Sequence, residues 1–178
     1  MKFLPAPRLR RAALAAVAVV ALAGCSHASP LAVAYVGDAE LTQPQFQQAL
    51  DGLSSTLQEG QTVSSEAVLN AMIQGMLADQ IATDRGIQLT DAELDKALAS
   101  TDLAPLAKVP AAREVVYDVA DSLVVAQKLG EQDFLSEVKN RKVTLNPRYG
   151  VLDPAQKTLL SGRTGSLSEP AAGVPEAP

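Results

Sequence analysis

Residues 64–86, SSEAVLNAMIQGMLADQIATDRG, decide the fold class. Leu69, Met72, Ile73, Met76, Leu77 and Ile81 recur at spacings of three and four, the period of a helix, and form a broad apolar stripe. Ser64 or Ser65 supplies the N-cap, and Gly86 stands where a helix ends in the left-handed conformation. Such a helix is about 30 Å long at 1.5 Å per residue, enough to span a small domain. It is the expected central core helix.

The flanking stretches obey the same grammar. Upstream, Thr42-Gln43-Pro44-Gln45 pairs an N-cap Thr with Gln at N3, a capping box, and places Pro in the first turn. Phe46, Leu50, Leu53 and Leu57 follow at helical spacing, so a first helix is expected to end near Gly60. Downstream, Thr90 and Glu93 form a second capping box ahead of a short helix that buries Leu94 and Leu98. Asp91, Glu93 and Asp95 cluster there, and capping accounts for them better than a cation site does. A looser stretch with Pro105 and Pro110 leads into a long helix over 111–129, carried by Val115, Val116, Val119, Leu123 and Val124. Gly130 kinks or ends it. A further helix, 131–140, carries Phe134, Leu135 and Val138, and Lys139, Arg141 and Lys142 crowd its C-terminal end, where cations suit the dipole.

Only two strand candidates stand out. Leu31–Val36 is a near-continuous apolar run stopped by Gly37-Asp38, and Lys142–Leu145 alternates until Asn146-Pro147, with Arg148–Leu152 as its extension. They lie at opposite ends of the domain, and an isolated strand leaves backbone groups unsatisfied, so they are expected to pair. The expected architecture is therefore mainly α: a helical domain over 31–153 with a small two-stranded sheet joining its N- and C-terminal segments. The remainder, 154–178, turns to Gly, Ser, Pro and Ala from about Ser161 and is expected to be a disordered tail.

The N-terminus carries a different signal. Lys2, Arg8, Arg10 and Arg11 precede an uncharged block of Ala, Val and Leu that ends in Leu22-Ala23-Gly24-Cys25. This is the n-region and h-region of a secretory signal, and about a dozen apolar residues fall short of the ~20 that span a bilayer. Leu22–Cys25 resembles the lipobox of bacterial lipoprotein signal peptides. That resemblance implies cleavage between Gly24 and Cys25, acylation of Cys25, and a protein anchored on the extracytoplasmic face of the cell membrane. Residues 1–24 are then the signal peptide and 25–30 a tether. A lone thiol in an exported chain forms no internal disulfide, and a thioether to lipid removes its reactivity.

Composition narrows the chemistry. All twenty acidic residues follow residue 24, against eleven of the fifteen basic ones, so the mature chain carries a net charge of −9. An acidic surface argues against nucleic acid and against electrostatic adhesion to anionic lipid. The single histidine, His27, lies in the tether, which leaves no Ser-His-Asp triad and no His-based metal site for the folded domain. No P-loop, dinucleotide fingerprint or EF-hand spacing occurs. The chain reads as non-enzymatic, with no cofactor and no metal; a pair of converging carboxylates would be the one route to chemistry.

Three motifs now fall in order. Val36-Gly37-Asp38 leading into Leu41–Phe46 resembles the opening of SurA-type chaperone domains. Arg85-Gly86-Ile87-Gln88-Leu89-Thr90-Asp91-Ala92-Glu93-Leu94 is similar to a segment shared by SurA, PrsA and trigger-factor-related domains. Val143–Gly150 resembles the closing motif of SurA-N-like actinobacterial lipoproteins. The resemblance implies a helical chaperone module for unfolded or extended exported polypeptides. It does not carry over isomerase activity, because the chain has no room for a parvulin domain and no histidine in its fold. The Met72–Met76 pair suits core filling, the commoner role, or an adaptable peptide groove. The candidate client groove draws on Phe46, Met72, Met76 and Tyr117. The competing expectation is an envelope adaptor or structural lipoprotein that binds one specific folded partner tightly.

Overall fold

The computed structural model describes residues 29–58 and 62–160. The expected signal peptide, the Gly24–Cys25 cleavage site, the lipidated Cys25 and residues 161–178 lie outside the described residues. Described elements follow in the order β1 (Ala32–Val36), β2 (Ala39–Thr42), α1 (Gln43–Ser54), α2 (Ser65–Arg85), α3 (Asp91–Leu98), α4 (Pro110–Leu129), α5 (Glu131–Asn140) and β3 (Val143–Leu145). The fold is mainly helical with one small antiparallel sheet, and short 3-10 turns occupy Leu106–Lys108 and Pro147–Tyr149.

The expected pairing of the two ends is present: β1 and β3 are antiparallel, with Ala34 opposite Leu145 and Val36 opposite Val143. The sheet nonetheless has three strands in the order β2-β1-β3, not two. The third, Ala39-Glu40-Leu41-Thr42, is so short that it reads as a lead-in to α1. It pairs because Gly37, at φ +57°, turns the chain straight back along the open edge of β1. β1 is thus the central strand, which explains its unbroken apolar run: Ala32, Val33, Ala34 and Val36 are all buried. Asn146 closes the sheet. Its backbone N–H donates to Val33 O at 2.8 Å, its side-chain amide donates to Ala32 O at 3.0 Å, and its Oδ1 accepts from Arg148 N. Pro147 then starts a 3-10 turn, so the expected strand extension over Arg148–Leu152 does not form.

The helix ends obey local chemistry. The Thr42 N–H donates to Gln45 Oε1 at 2.9 Å, Ser64 Oγ accepts from Ala67 N, and Thr90 and Glu93 cap each other reciprocally. Gly86 ends α2 at φ +64° while Ile87 N–H reaches back to Ala82 O. α2 is the centre of the domain: Leu69, Ile73, Leu77, Ala78 and Ile81 are fully buried, and its neighbours are α4, α1, α5 and β1. α4 serves two cores. Val115 and Val125 join the main one around α2, while Val116, Ala120 and Val124 pack on Leu94 and Leu98 of α3. Leu123, expected in the stripe, is exposed, and Val125 takes the buried position.

Basic side chains near the end of α5 do more than cap it. Arg141 is the C-cap residue and bridges Asp84 of α2 and Glu137, which Arg85 also holds. The guanidinium of Arg85, then that of Arg141, holds the Glu137 carboxyl below its usual range. These pairs tie the C-terminal ends of α2 and α5 together at the surface, where each is worth little on its own.

The packed chain also continues beyond residue 153, the expected start of the tail. Leu152 and Leu159 form an isolated antiparallel bridge, Leu159 is buried in the main core, and its N–H donates to Asn70 Oδ1 at 2.7 Å. Gln74 Nε2 donates to the carbonyls of Gln156 and Lys157, both at 3.1 Å. Side-chain amides on one face of α2 thus hold this segment. Its own composition gives no sign of that.

Candidate functional site: an apolar groove between three helices

The expected client groove does not assemble. Phe46 and Met72 are both 6% exposed and belong to the main core, where Phe46 meets Tyr149 edge-on with ring centroids 5.8 Å apart. Met76 lies half-buried against the same core. Tyr117 packs on the second core, and its hydroxyl accepts from Arg113 at 2.6 Å and donates to Asp95 at 2.7 Å. Each of the four is therefore already engaged within the domain. Arg113 also pairs with Asp91 at 3.1 Å, and Lys128 with Glu93 at 2.6 Å, so the Asp91–Asp95 cluster is answered by α4.

A different concavity of about 250 Å³ opens where the end of α1, the start of α2 and the middle of α4 meet. Val68, Val115 and Val116 form its buried floor, and half-buried Leu53, Val63, Ala71, Leu103 and Val119 form its rim with exposed Ala67. Two features leave it open. α1 stops at Ser54, and α2 presents alanine at 67 and 71, one turn apart, where a larger side chain would fill the gap. Gly52 keeps α1 close to α4, since a Cβ there would lie 1.9 Å from Ala111 O. The one polar side chain in the lining, Ser64, already caps α2. The groove can therefore bind apolar matter but offers nothing to orient a polar ligand. Its volume falls below the ~300–1,000 Å³ usual for small-molecule pockets and suits one or two aliphatic side chains. Sequence spacing pointed to the large side chains. The signal it left unused was the Ala67/Ala71 pair interrupting the stripe of α2.

Two larger clefts carry more polar side chains than this groove. One of about 610 Å³ lies between α1 and the start of α4, lined by Gln47, Asp51, Ser55 and Glu114 among others. The second, about 560 Å³, contains the mutually neutralised Glu93 and Lys128.

The seam between α2 and α4 holds an unusual group of acids. Asp118 lies against Gly75 so closely that a Cβ on Gly75 would be 2.4 Å from Asp118 Oδ1. Burial pushes the Asp118 carboxyl up to about 8, and Asp121, Glu114 and Asp79 add repulsion. Burial and then Asp79 raise Asp121 to about 6, and burial raises Asp79. Carboxylates do converge here, and Asp79, Asp118 and Asp121 line none of these three clefts. Among the described residues, no group of His, Cys, Asp and Glu is placed to hold a metal ion.

With this geometry in view, residues 11–104 match the SurA-like N-terminal domain, slightly more than half of the chain. The chain belongs to the SurA-like N-terminal domain family. No curated protein and no solved structure matches it. The family is chaperone-related and its domain is of a non-catalytic type. Within this SurA-like domain the matched stretch contains β1, β2 and α1 to α3 and ends before α4. The α1 and α2 walls of the groove thus lie within the matched stretch, and α4 supplies the opposite wall from beyond it.

Proposed function

We propose that the protein is a membrane-anchored extracytoplasmic lipoprotein, held through a lipid on Cys25, that acts as a non-catalytic holdase for exported unfolded polypeptides. The observation that carries this reading is the open groove of apolar side chains on a chaperone-related domain. An unfolded segment offers aliphatic side chains with no fixed partner. A lining without free polar groups accepts them regardless of sequence, at the cost of affinity. The acidic mature chain favours clients with basic residues beside their apolar ones and resists self-association.

The test is suppression of light scattering from several unrelated unfolding proteins by the mature chain. Near-stoichiometric suppression of most of them is the expected result. Val119→Asp places a charge in the groove and is expected to weaken binding by at least tenfold, with unchanged far-UV circular dichroism. Tight binding of one folded membrane protein, with no suppression by a folded domain, would replace the holdase reading with that of an adaptor. Anchoring is tested separately: Cys25→Ser is expected to move the protein from the membrane fraction to the soluble one. Retention in membranes would mean a different anchor.

A further inference from the structure

The groove lies beside the place where the described chain ends. Gln74 holds Gln156 and Lys157, and Asn70 holds Leu159, so the chain runs along α2 toward its N-terminus. Ala71 adjoins Asn70, and Ala67 lies about one turn further in the same direction, some 4.5 Å along the axis. Both line the groove. The described chain, which ends at Leu160, therefore stops close to the groove's edge. The sequence that follows, Ser161-Gly162-Arg163-Thr164-Gly165-Ser166-Leu167-Ser168, contains one large aliphatic side chain, Leu167, among small and polar residues. It lies eight positions beyond Leu159, an extended reach of about 26 Å, ample for a groove that begins within a helical turn of Asn70. Arg163 is the one basic residue from 161 to 178, and the neighbouring α4 carries Glu114 next to the groove residue Val115.

We propose that residues 161–168 occupy the apolar groove in the absence of a client, with Leu167 inserted between α2 and α4, as an internal competitor that a longer apolar segment displaces. Tethering favours this occupant over a second copy. A segment linked through a few residues acts at an effective concentration of about millimolar, so an intrinsic Kd of about 1 mM fills about half of the grooves. A second copy must instead overcome the repulsion of two chains of net charge −9. The apparent affinity for clients is then reduced by the fraction of grooves the tail fills. Tail docking itself does not depend on the holdase reading; only its competitive consequence does.

The experiment uses the mature chain with Cys25→Ser and a nitroxide on Ser166→Cys, which leaves Leu167 in place. Paramagnetic broadening is expected to be strongest at the methyl groups of Val63, Ala71 and Val119. It should be weak at Leu135 on α5, which joins α2 at its opposite end. Even broadening across the molecule, or broadening centred elsewhere, overturns the proposal. If the same methyls broaden only when labelled and unlabelled chains are mixed, the occupant is a second copy, and the proposal falls. In parallel, Leu167→Asp is expected to tighten binding of a dansyl peptide with two leucines among serines by about twofold, the change that follows when about half of the grooves are filled. Unchanged affinity for a peptide that binds would sink the tail while leaving the holdase reading intact. Groove-centred broadening in a chain that suppresses no aggregation even as Leu167→Asp would do the reverse.

Discussion

Asp118→Asn is expected to stabilise the folded chain by about 2–4 kcal/mol at pH 8.5 and to change it little at pH 4. In the fold, Asp118 is held against Gly75 at the α2–α4 seam, facing Asp79 on α2 and Glu114 and Asp121 on its own helix. Its carboxyl titrates near 8 there, against an ordinary value of 3.8. Between those two values the folded chain binds more protons than the unfolded one, so raising the pH favours unfolding. The stability lost is complete above about pH 8 and absent below about pH 4. Asp121, raised to about 6, steepens the fall between pH 4 and 6. The range given is smaller than the full shift would imply, because Asp118 is only partly shielded from water. Asparagine has nearly the same shape and never ionises, so it removes the penalty without disturbing the contact with Gly75. Urea midpoints of both proteins at pH 4, 6 and 8.5 decide the matter. Parallel curves would mean that Asp118 is as well hydrated in the fold as in the unfolded chain.

Gly52→Ala is expected to cost about 2–4 kcal/mol, a large effect for a single methyl group. An added Cβ would meet backbone, Ala111 O at 1.9 Å, in the first turn of α4. Backbone cannot swing aside as the end of a long side chain can, so α1 and α4 must separate. Leu53, the next residue, is the α1 contribution to the groove wall. The same substitution should therefore weaken binding of the dansyl peptide several-fold under conditions where the chain remains folded. A loss of stability with unchanged peptide affinity would show that the α1 wall contributes nothing to binding.

The acids at the seam and the alanines of the groove illustrate why the site was less legible than the fold. Asp79, Asp118 and Asp121 are spaced like ordinary solvent-facing residues of two helices, and only the crossing of α2 over α4 brings them together. Ala67 and Ala71 read as weak core positions. Their meaning depends on how far α1 extends over them. Phe46 and Met72 attracted attention by size and flexibility, yet large apolar side chains gain most from complete burial, and both are in the core.

What the sequence determined by itself was set by interactions that close within about one turn. Thr42, Ser64 and Thr90 start helices, Gly86 ends one, and the helical period of α2 marks it as the central element, all without reference to distant residues. The pairing of β1 with β3 was also legible, since these two were the only strand candidates that the sequence showed. The tertiary structure alone decided the rest: that a four-residue strand completes the sheet, that Asn70 and Gln74 hold residues 156–159, and which apolar side chains stay half-open. These outcomes depend on distances between elements far apart in sequence. Such distances come from the packing of α1, α2 and α4 as a whole, which no single stretch encodes.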